Sequence, residues 1–248
     1  MPSNRLYRTI AFMLLFVAGV VSIAGAAVPQ EGMQLWLRAD AGIDLLNAEV
    51  VRWADQSGQN HHALGEIGTA PTVEYNALNG LPVLVFDGKS DFLVVPHTNG
   101  LNAGDELTIF VVYLYEKGSE LNRLMQKRSN AVGIGVDGWY VAPARGAAVA
   151  SARESKDLFA AGQFLAHTAV FNAKAGTLSL LQNGEVISVL PVNAPQTPNT
   201  HHLFIGKREH TAEAHFTGKI AEIIIYDRAL DDKTRMQVEA YLLQKFGL

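Results

Sequence analysis

Leu107-Thr108-Ile109-Phe110-Val111-Val112-Tyr113-Leu114-Tyr115 and Lys219-Ile220-Ala221-Glu222-Ile223-Ile224-Ile225-Tyr226 decide how this chain folds. Both stretches are dense in β-branched and aromatic side chains, which suit a pleated strand better than a helix. Successive strand residues point to opposite faces, so a run apolar at nearly every position is apolar on both faces. Such strands belong in the middle of a sheet. Their inner side meets a second sheet, and loops are expected to cover part of the outer side. Between them, Thr177–Gln182 and Glu185–Leu190 flank Asn183-Gly184. A two-residue Asn-Gly link favours a type I′ turn, because both positions need positive φ. Shorter strands are predicted at Gln34–Arg38, Pro82–Phe86, Phe92–Val95, Ala147–Ser151, Leu165–Phe171 and His202–Gly206, with turn signals at Asn79-Gly80, Asp87-Gly88, Asn99-Gly100 and Asp137-Gly138. Only the C-terminus reads as helix: Asp231 or Asp232 can cap Lys233–Phe246, where Val238, Tyr241, Leu242 and Phe246 form an apolar stripe. Many strands and one terminal helix predict an all-β chain, an antiparallel β-sandwich of two sheets with a C-terminal α-helix.

Composition agrees. Among 248 residues 48% are hydrophobic and only 18% charged, which excludes a disordered or acidic solvating chain. The absence of cysteine excludes a disulfide framework, a thiolate zinc site and a thiol nucleophile. A formal charge of -4 predicts no broad basic face, and hence no nucleic-acid partner. Arg5 and Arg8, the apolar run Ile10–Ile23 and Ala24-Gly25-Ala26 follow one another as in a secretory signal. Residues 1–26 are therefore expected to be a signal peptide, or alternatively an uncleaved anchor. Residues 27–248 are expected to be one secreted, extracellular or periplasmic domain, without a membrane span.

Most chemical-looking motifs fail on context. Gly133-Ile134-Gly135-Val136-Asp137-Gly138 matches a dinucleotide fingerprint, but Trp139-Tyr140-Val141 and Pro143 do not begin a helix, so a hairpin turn is expected. Gly88-Lys89-Ser90 lacks the earlier glycine of a phosphate loop, since Val83 stands there. His210, Glu213 and His215, like the pairs His61-His62 and His201-His202, lack the spacing of a metal site. A sandwich glycosidase needs two opposed carboxylates. Glu222 begins the acid-bearing strand, but where sandwich-type laminarinases carry Glu-x-Asp-x-x-Glu, this chain has Ile224 and Asp227. Glu222 is accordingly expected to be structural or solvated.

Five segments in order resemble one family. They are Trp53-Ala54-Asp55-Gln56-Ser57-Gly58-Gln59-Asn60-His61-His62-Ala63, Phe86–Leu93 (FDGKSDFL), Leu180–Glu185 (LLQNGE), Leu203–Gly206 (LFIG) and Phe216–Leu230 (FTGKIAEIIIYDRAL). Together they resemble the laminin G-like group of the concanavalin A-like lectin/glucanase superfamily, in its bacterial secreted form. The resemblance implies a jelly-roll sandwich with its first and last strands adjacent. It also implies a binding module for an extracellular carbohydrate or protein ligand, sometimes calcium-assisted. Asp55, Asp87 and Asp91 are the candidate Ca²⁺ ligands, since calcium takes six to eight oxygens. The same aspartates have a structural alternative as turn acceptors. Asn60, His62, Trp139 and Tyr140 are the candidate ligand-binding residues, with Trp139 as a sugar platform in a loop, whereas Trp36 and Trp53 are expected in the core. Arg228 is expected to pair with Glu222. The alternative class is a sandwich-fold glycoside hydrolase or polysaccharide lyase, for which a Tyr/His/Arg cluster would speak.

Overall fold

The computed structural model describes residues 27–116, 123–128, 138–149, 152–153, 156–209 and 214–248. The expected signal segment, most of the 133–138 glycine motif, His210 and Glu213 lie outside these residues. Among them the strands are β1 (Met33–Arg38), β2 (Ile43–Leu46), β3 (Glu49–Trp53), β4 (Ala63–Leu64), β5 (Thr72–Leu78), β6 (Leu81–Asp87), β7 (Leu93–Val95), β8 (Glu106–Tyr115), β9 (Met125–Lys127), β10 (Trp139–Ala142), β11 (Gly146–Val149), β12 (Leu165–Asn172), β13 (Thr177–Gln182), β14 (Glu185–Pro191), β15 (Leu203–Ile205) and β16 (Thr217–Tyr226). One α-helix, α1 (Asp232–Phe246), follows.

All pairings are antiparallel, in two stacked layers. Layer one runs β14-β13-β12-β8-β16. β16 then pairs through its first half with β6 (Gly218 opposite Phe86) and through its second half with β1 (Ile224 opposite Trp36). Layer two runs β11-β10-β9-β15-β7-β4-β3, with β2 beyond β3. β5 pairs with β6 and meets β3 at Thr72 and Glu49, so hydrogen bonding passes from one layer into the other. This is a jelly-roll sandwich whose first and last strands are neighbours. The β13–β14 link is the expected Asn-Gly turn, with φ of 50° at Asn183 and 84° at Gly184.

Alternation along β8 and β16 divides the apolar side chains between two cores. Ile109, Val111 and Tyr113 face inward with Ile223 and Ile225, against Trp53, Leu93, Met125, Trp139 and Ile205 of layer two. Phe110, Val112, Ile224 and Tyr226 face outward into a second core with Val238, Leu242 and Phe246 of α1. The outer face is thus covered by the helix rather than by the loops expected above. Each large apolar side chain withdrawn from water there contributes ~1.5–3 kcal/mol.

The helix is positioned by its ends and by polar contacts. Asp231 is the N-cap and accepts from the Thr234 amide at 2.9 Å, and Gly247 closes the C-terminus at φ 68°. Glu222, 0% exposed, accepts from Trp36 Nε1 at 2.6 Å, Lys245 Nζ at 2.6 Å and the Tyr241 hydroxyl at 3.0 Å. Lys245 also donates to Asp40 at 2.9 Å, which Arg38 holds from the other side. Glu222 is therefore a buried anchor for α1. It pairs with Lys245, not with Arg228, whose partner is Glu31.

Candidate functional site

While α1 covers much of layer one, the outer face of layer two carries a different set of side chains, buried at Gln126 and half-buried at Tyr140 and Phe204. Strand register sets what stands there. Arg52 lies opposite Leu64, Leu64 opposite Val94, Val94 opposite Phe204, Phe204 opposite Gln126, Gln126 opposite Tyr140, and Tyr140 opposite Ala148. These residues form one row across seven strands. Their chain neighbours, including Leu93, Ile205, Met125, Trp139 and Val141, point the other way into the core.

Aromatic rings and cations concentrate on this row. The Arg123 guanidinium lies 4.0 Å from the centroid of the Tyr140 ring and that of Arg128 lies 5.6 Å from it. Lys207 Nζ stands 3.4 Å from the centre of Phe92 and 4.9 Å from that of Phe204. Phe92 and Phe204 are themselves 6.4 Å apart, with His215 beside Phe92 and His202 edge-on to Phe204. Cations over ring faces are favoured by the ring quadrupole, which also holds long flexible side chains in place. Burial pulls the Arg123 guanidinium down to about 10; Tyr140 opposes this, while nearby Arg208, Arg128 and Arg145 reinforce it. Burial also lowers Lys207, with Glu209 and Glu66 opposing. At neutral pH each remains a cation, so positive charge crowds one face of a chain whose formal charge is -4. Chemically, the face offers the half-buried rings of Tyr140, Phe92 and Phe204 to stack on sugar C–H groups, whereas Gln126, 1% exposed, donates to the Arg128 carbonyl at 3.3 Å and does not reach a ligand.

The expected ligand-binding residues fare differently. Tyr140 is on this face. Trp139, its neighbour, is not in a loop: it lies on β10, 0% exposed, with Nε1 donating to the Leu101 carbonyl at 2.9 Å. It is a core residue and offers no sugar platform. His62 accepts from the Asp55 amide through Nδ1 and meets Arg52 through Nε2, at the far end of the row. Asn60 sits in the adjoining turn at φ 62°. Trp53 is in the core as expected, while Trp36 is only partly buried under α1.

The residues expected to hold calcium do not fit that ion. Asp55 accepts from the amides of Trp36, Ser57 and His61 and from the Ser57 hydroxyl. Asp87 accepts from the amides of Lys89, Ser90 and Asp91 and from the Ser90 hydroxyl. A carboxylate has about four lone-pair sites, so both are filled by turn donors. Asp91 accepts the Asp87 amide, and its carboxyl is pushed up to about 6 by burial, with Asp87 and Glu49 adding to the shift. A group that resists ionisation is a poor first ligand for a divalent cation. Among the described residues no three His, Asp or Glu side chains gather as a metal site.

Phe92, Phe204, Lys207, Arg123 and Arg128 escaped the sequence reading. One signal was available: Leu203-Phe204-Ile205 and Trp139-Tyr140-Val141 each put one ring between two apolar neighbours. On a strand that pattern puts the central side chain on the opposite face from its neighbours.

Comparison with known proteins follows this geometry. The family model described as the concanavalin A-like lectin/glucanases superfamily, Laminin_G_3, matches residues 87–234. No curated protein matches the chain. Among solved structures, a sialidase of Trypanosoma rangeli matches with TM-score 0.59 and 15% identity, over 89% of this chain and 34% of the sialidase. This chain therefore spans about a third of that enzyme. Domain 4 of AbnA, an extracellular arabinanase from Geobacillus stearothermophilus solved with arabinotriose, matches with TM-score 0.60 and 13% identity, over 84% of this chain and 98% of that domain. The binding domain of Paraclostridial Mosquitocidal Protein 1 matches with TM-score 0.57 and 13% identity, over 86% of this chain and 52% of that domain. At these identities the likeness is one of fold. Among the described residues no helix is long and apolar enough to cross a membrane.

Proposed function

Because the chain belongs to the concanavalin A-like lectin/glucanases superfamily, we propose that it is a secreted, non-catalytic module that binds an extracellular carbohydrate on the outer face of layer two. The observation that carries this reading is the set of half-buried rings Tyr140, Phe204 and Phe92, with Lys207 against the last two, on the outer face of layer two. An aromatic strip with interspersed polar groups suits a sugar chain laid across strands. The likeness to an arabinanase domain seen with arabinotriose supports a glycan over a protein ligand. A binding role is favoured over glycoside hydrolysis because Glu222, the acid that a sandwich glycosidase would need, is sealed beneath the helix. Glycan-array binding by the purified protein, abolished in Phe204→Ala and retained in a change on the helix such as Met236→Ala, is the expected result. Binding unaffected by Phe204→Ala would place the contact elsewhere.

A second reading has one observation in its favour. Tyr140 beside Arg123 and Arg128 provides the residue types of a polysaccharide lyase. In that reaction a base takes the proton next to a uronate carboxylate, an arginine neutralises the charge, a C=C bond forms as the C–O bond to the next sugar breaks, and the leaving oxygen takes up a proton. Ultraviolet absorbance from unsaturated uronate ends during incubation with polyuronates would select this reading.

A further inference from the structure

Beyond the last pair of β7 and β15, Val95 opposite Leu203, the two chains stay together through side chains rather than strand bonds. The His97 amide donates to Nδ1 of His202 at 2.9 Å. Lys127 Nζ, on β9, stands 3.3 Å from Nδ1 of His97, and it donates to the His201 carbonyl at 2.7 Å and to Asn199 Oδ1 at 3.2 Å. Lys127 is 1% exposed, so these three acceptors replace water around its ammonium. A backbone amide and an ammonium can only donate. Each requires a bare lone pair on the Nδ1 that it faces, which puts the proton of each neutral ring on Nε2. A second proton has only Nδ1 to go to. There it cancels the bond and sets a donor against a donor.

The groups around these rings act in the same sense. Burial, then Lys127, His202 and His201, hold His97 below its ordinary 6.5, against one backbone bond with His201 that favours the proton. Lys127 stays a cation beside it, although burial lowers it to about 8 with Glu209 opposing. His202 is edge-on to Phe204, which Lys207 also meets. Nδ1 of His201 lies 3.4 Å from Glu209, so a proton on that third ring gains a partner and takes no part in the break. The same two segments are also tied where nothing titrates. Gln196 Oε1 accepts the Ala103 amide at 2.7 Å, and the Gln196 amide donates to the Gly104 carbonyl at 2.7 Å.

We infer that His97 and His202 form an acid-released latch: a proton on Nδ1 of either ring parts the chain after β7 from the chain before β15, with Gln196 as the fixed end. The device is independent of what the ring face binds.

Hydrogen exchange of the intact protein tests this on fragments covering residues 93–103, at about pH 7.5 and about pH 5.5, with each rate divided by the intrinsic rate at that pH. A ring that refuses the proton when latched, and takes it at about 6.5 when released, multiplies opening by about 11 at the lower pH and about 1.1 at the higher. One ring therefore gives a loss of protection of about tenfold. The comparison is His97→Asn/His202→Asn, whose amide oxygens accept near the Nδ1 positions without titrating. That variant keeps His167, so the pH dependence left in it belongs to the rest of the fold. The wild type is expected to lose about tenfold more protection than the variant. Equal losses in the two, or none in the wild type, would overturn the latch. Should the double variant fail to fold, nitrogen NMR of the wild-type imidazoles decides. Bare Nδ1 on both rings at neutral pH is expected, and a proton on Nδ1 of either ring would overturn the proposal.

Discussion

His167 makes the stability of this domain a function of pH. It lies on β12, points into the inner core, and is 0% exposed. Its ring stands 4.8 Å from Phe159, edge to face. Neither ring nitrogen reaches a hydrogen-bond partner, and only the Leu181 backbone nearby pulls weakly towards protonation. Burial therefore holds the imidazole neutral, with its pKa lowered from 6.5 to about 3. In the unfolded chain the same ring takes up a proton near its ordinary value. Between those two values the unfolded state binds the extra proton, so stability falls as pH falls. Above the upper value the contribution is constant, and below the lower one the loss is complete. Each pH unit within the window costs about 1.4 kcal/mol, so going from about pH 7.5 to about pH 5 costs about 2 kcal/mol at this residue. Asp91 acts in the opposite sense. Its carboxyl, pushed up to about 6, protonates first in the folded state, so it adds stability as pH falls towards 3.8. The raw pH curve therefore mixes two signs, and the informative quantity is a difference. Urea unfolding of the wild type and His167→Leu at both pH values supplies it. The variant keeps a similar volume and has nothing to protonate. Relative to the wild type it gains about 2 kcal/mol more at the acidic pH than at the neutral one. An equal difference at the two pH values refutes the reasoning.

Three further outcomes follow from contacts described above. Lys245→Met leaves buried Glu222 with only Trp36 and Tyr241 as donors, and costs about 3 kcal/mol in urea unfolding; a cost below about 1 kcal/mol would mean the pair is not what holds the helix. Trp139→Ala opens a cavity in the inner core and costs about 3–5 kcal/mol, and ligand leaves the Trp139 indole unperturbed in a protein whose other two tryptophans are replaced by phenylalanine; perturbation there would restore it as a contact. Asp87→Ala removes a turn acceptor of three amides and lowers the melting midpoint by the same amount with calcium or with chelator; a midpoint raised by calcium only in the wild type would reinstate the ion.

The long, doubly apolar strands β8 and β16 were legible because burial on both faces leaves an unbroken signature. β5 was not, since Thr72–Leu78 (TVEYNAL) is mostly exposed and alternates poorly. β4 has two residues and is too short to carry a period. The helix was legible as an apolar stripe, but not its partner. Which strands α1 covers depends on contacts far apart in the chain, and the buried Arg235–Glu239 pair on the same side, at 2.6 Å, looks like a solvent-facing pair when read linearly. The candidate site suffered in a similar way. Placing Trp139 and Tyr140 together in a loop discarded the alternation that sends one inward and the other outward. The cations were invisible in a net charge, which sums over all faces.

The position of β16 has a consequence for biogenesis. Among the described strands it comes last in chain order, yet it forms the middle of its layer, zipped to β8 on one side and to β6 and β1 on the other. A growing polypeptide that has not yet released Tyr226 lacks the seam joining its early and late halves, and stays open with its edges unsatisfied. Until Tyr226 has been made such a chain cannot close its two layers, and it is a natural client for a holding chaperone.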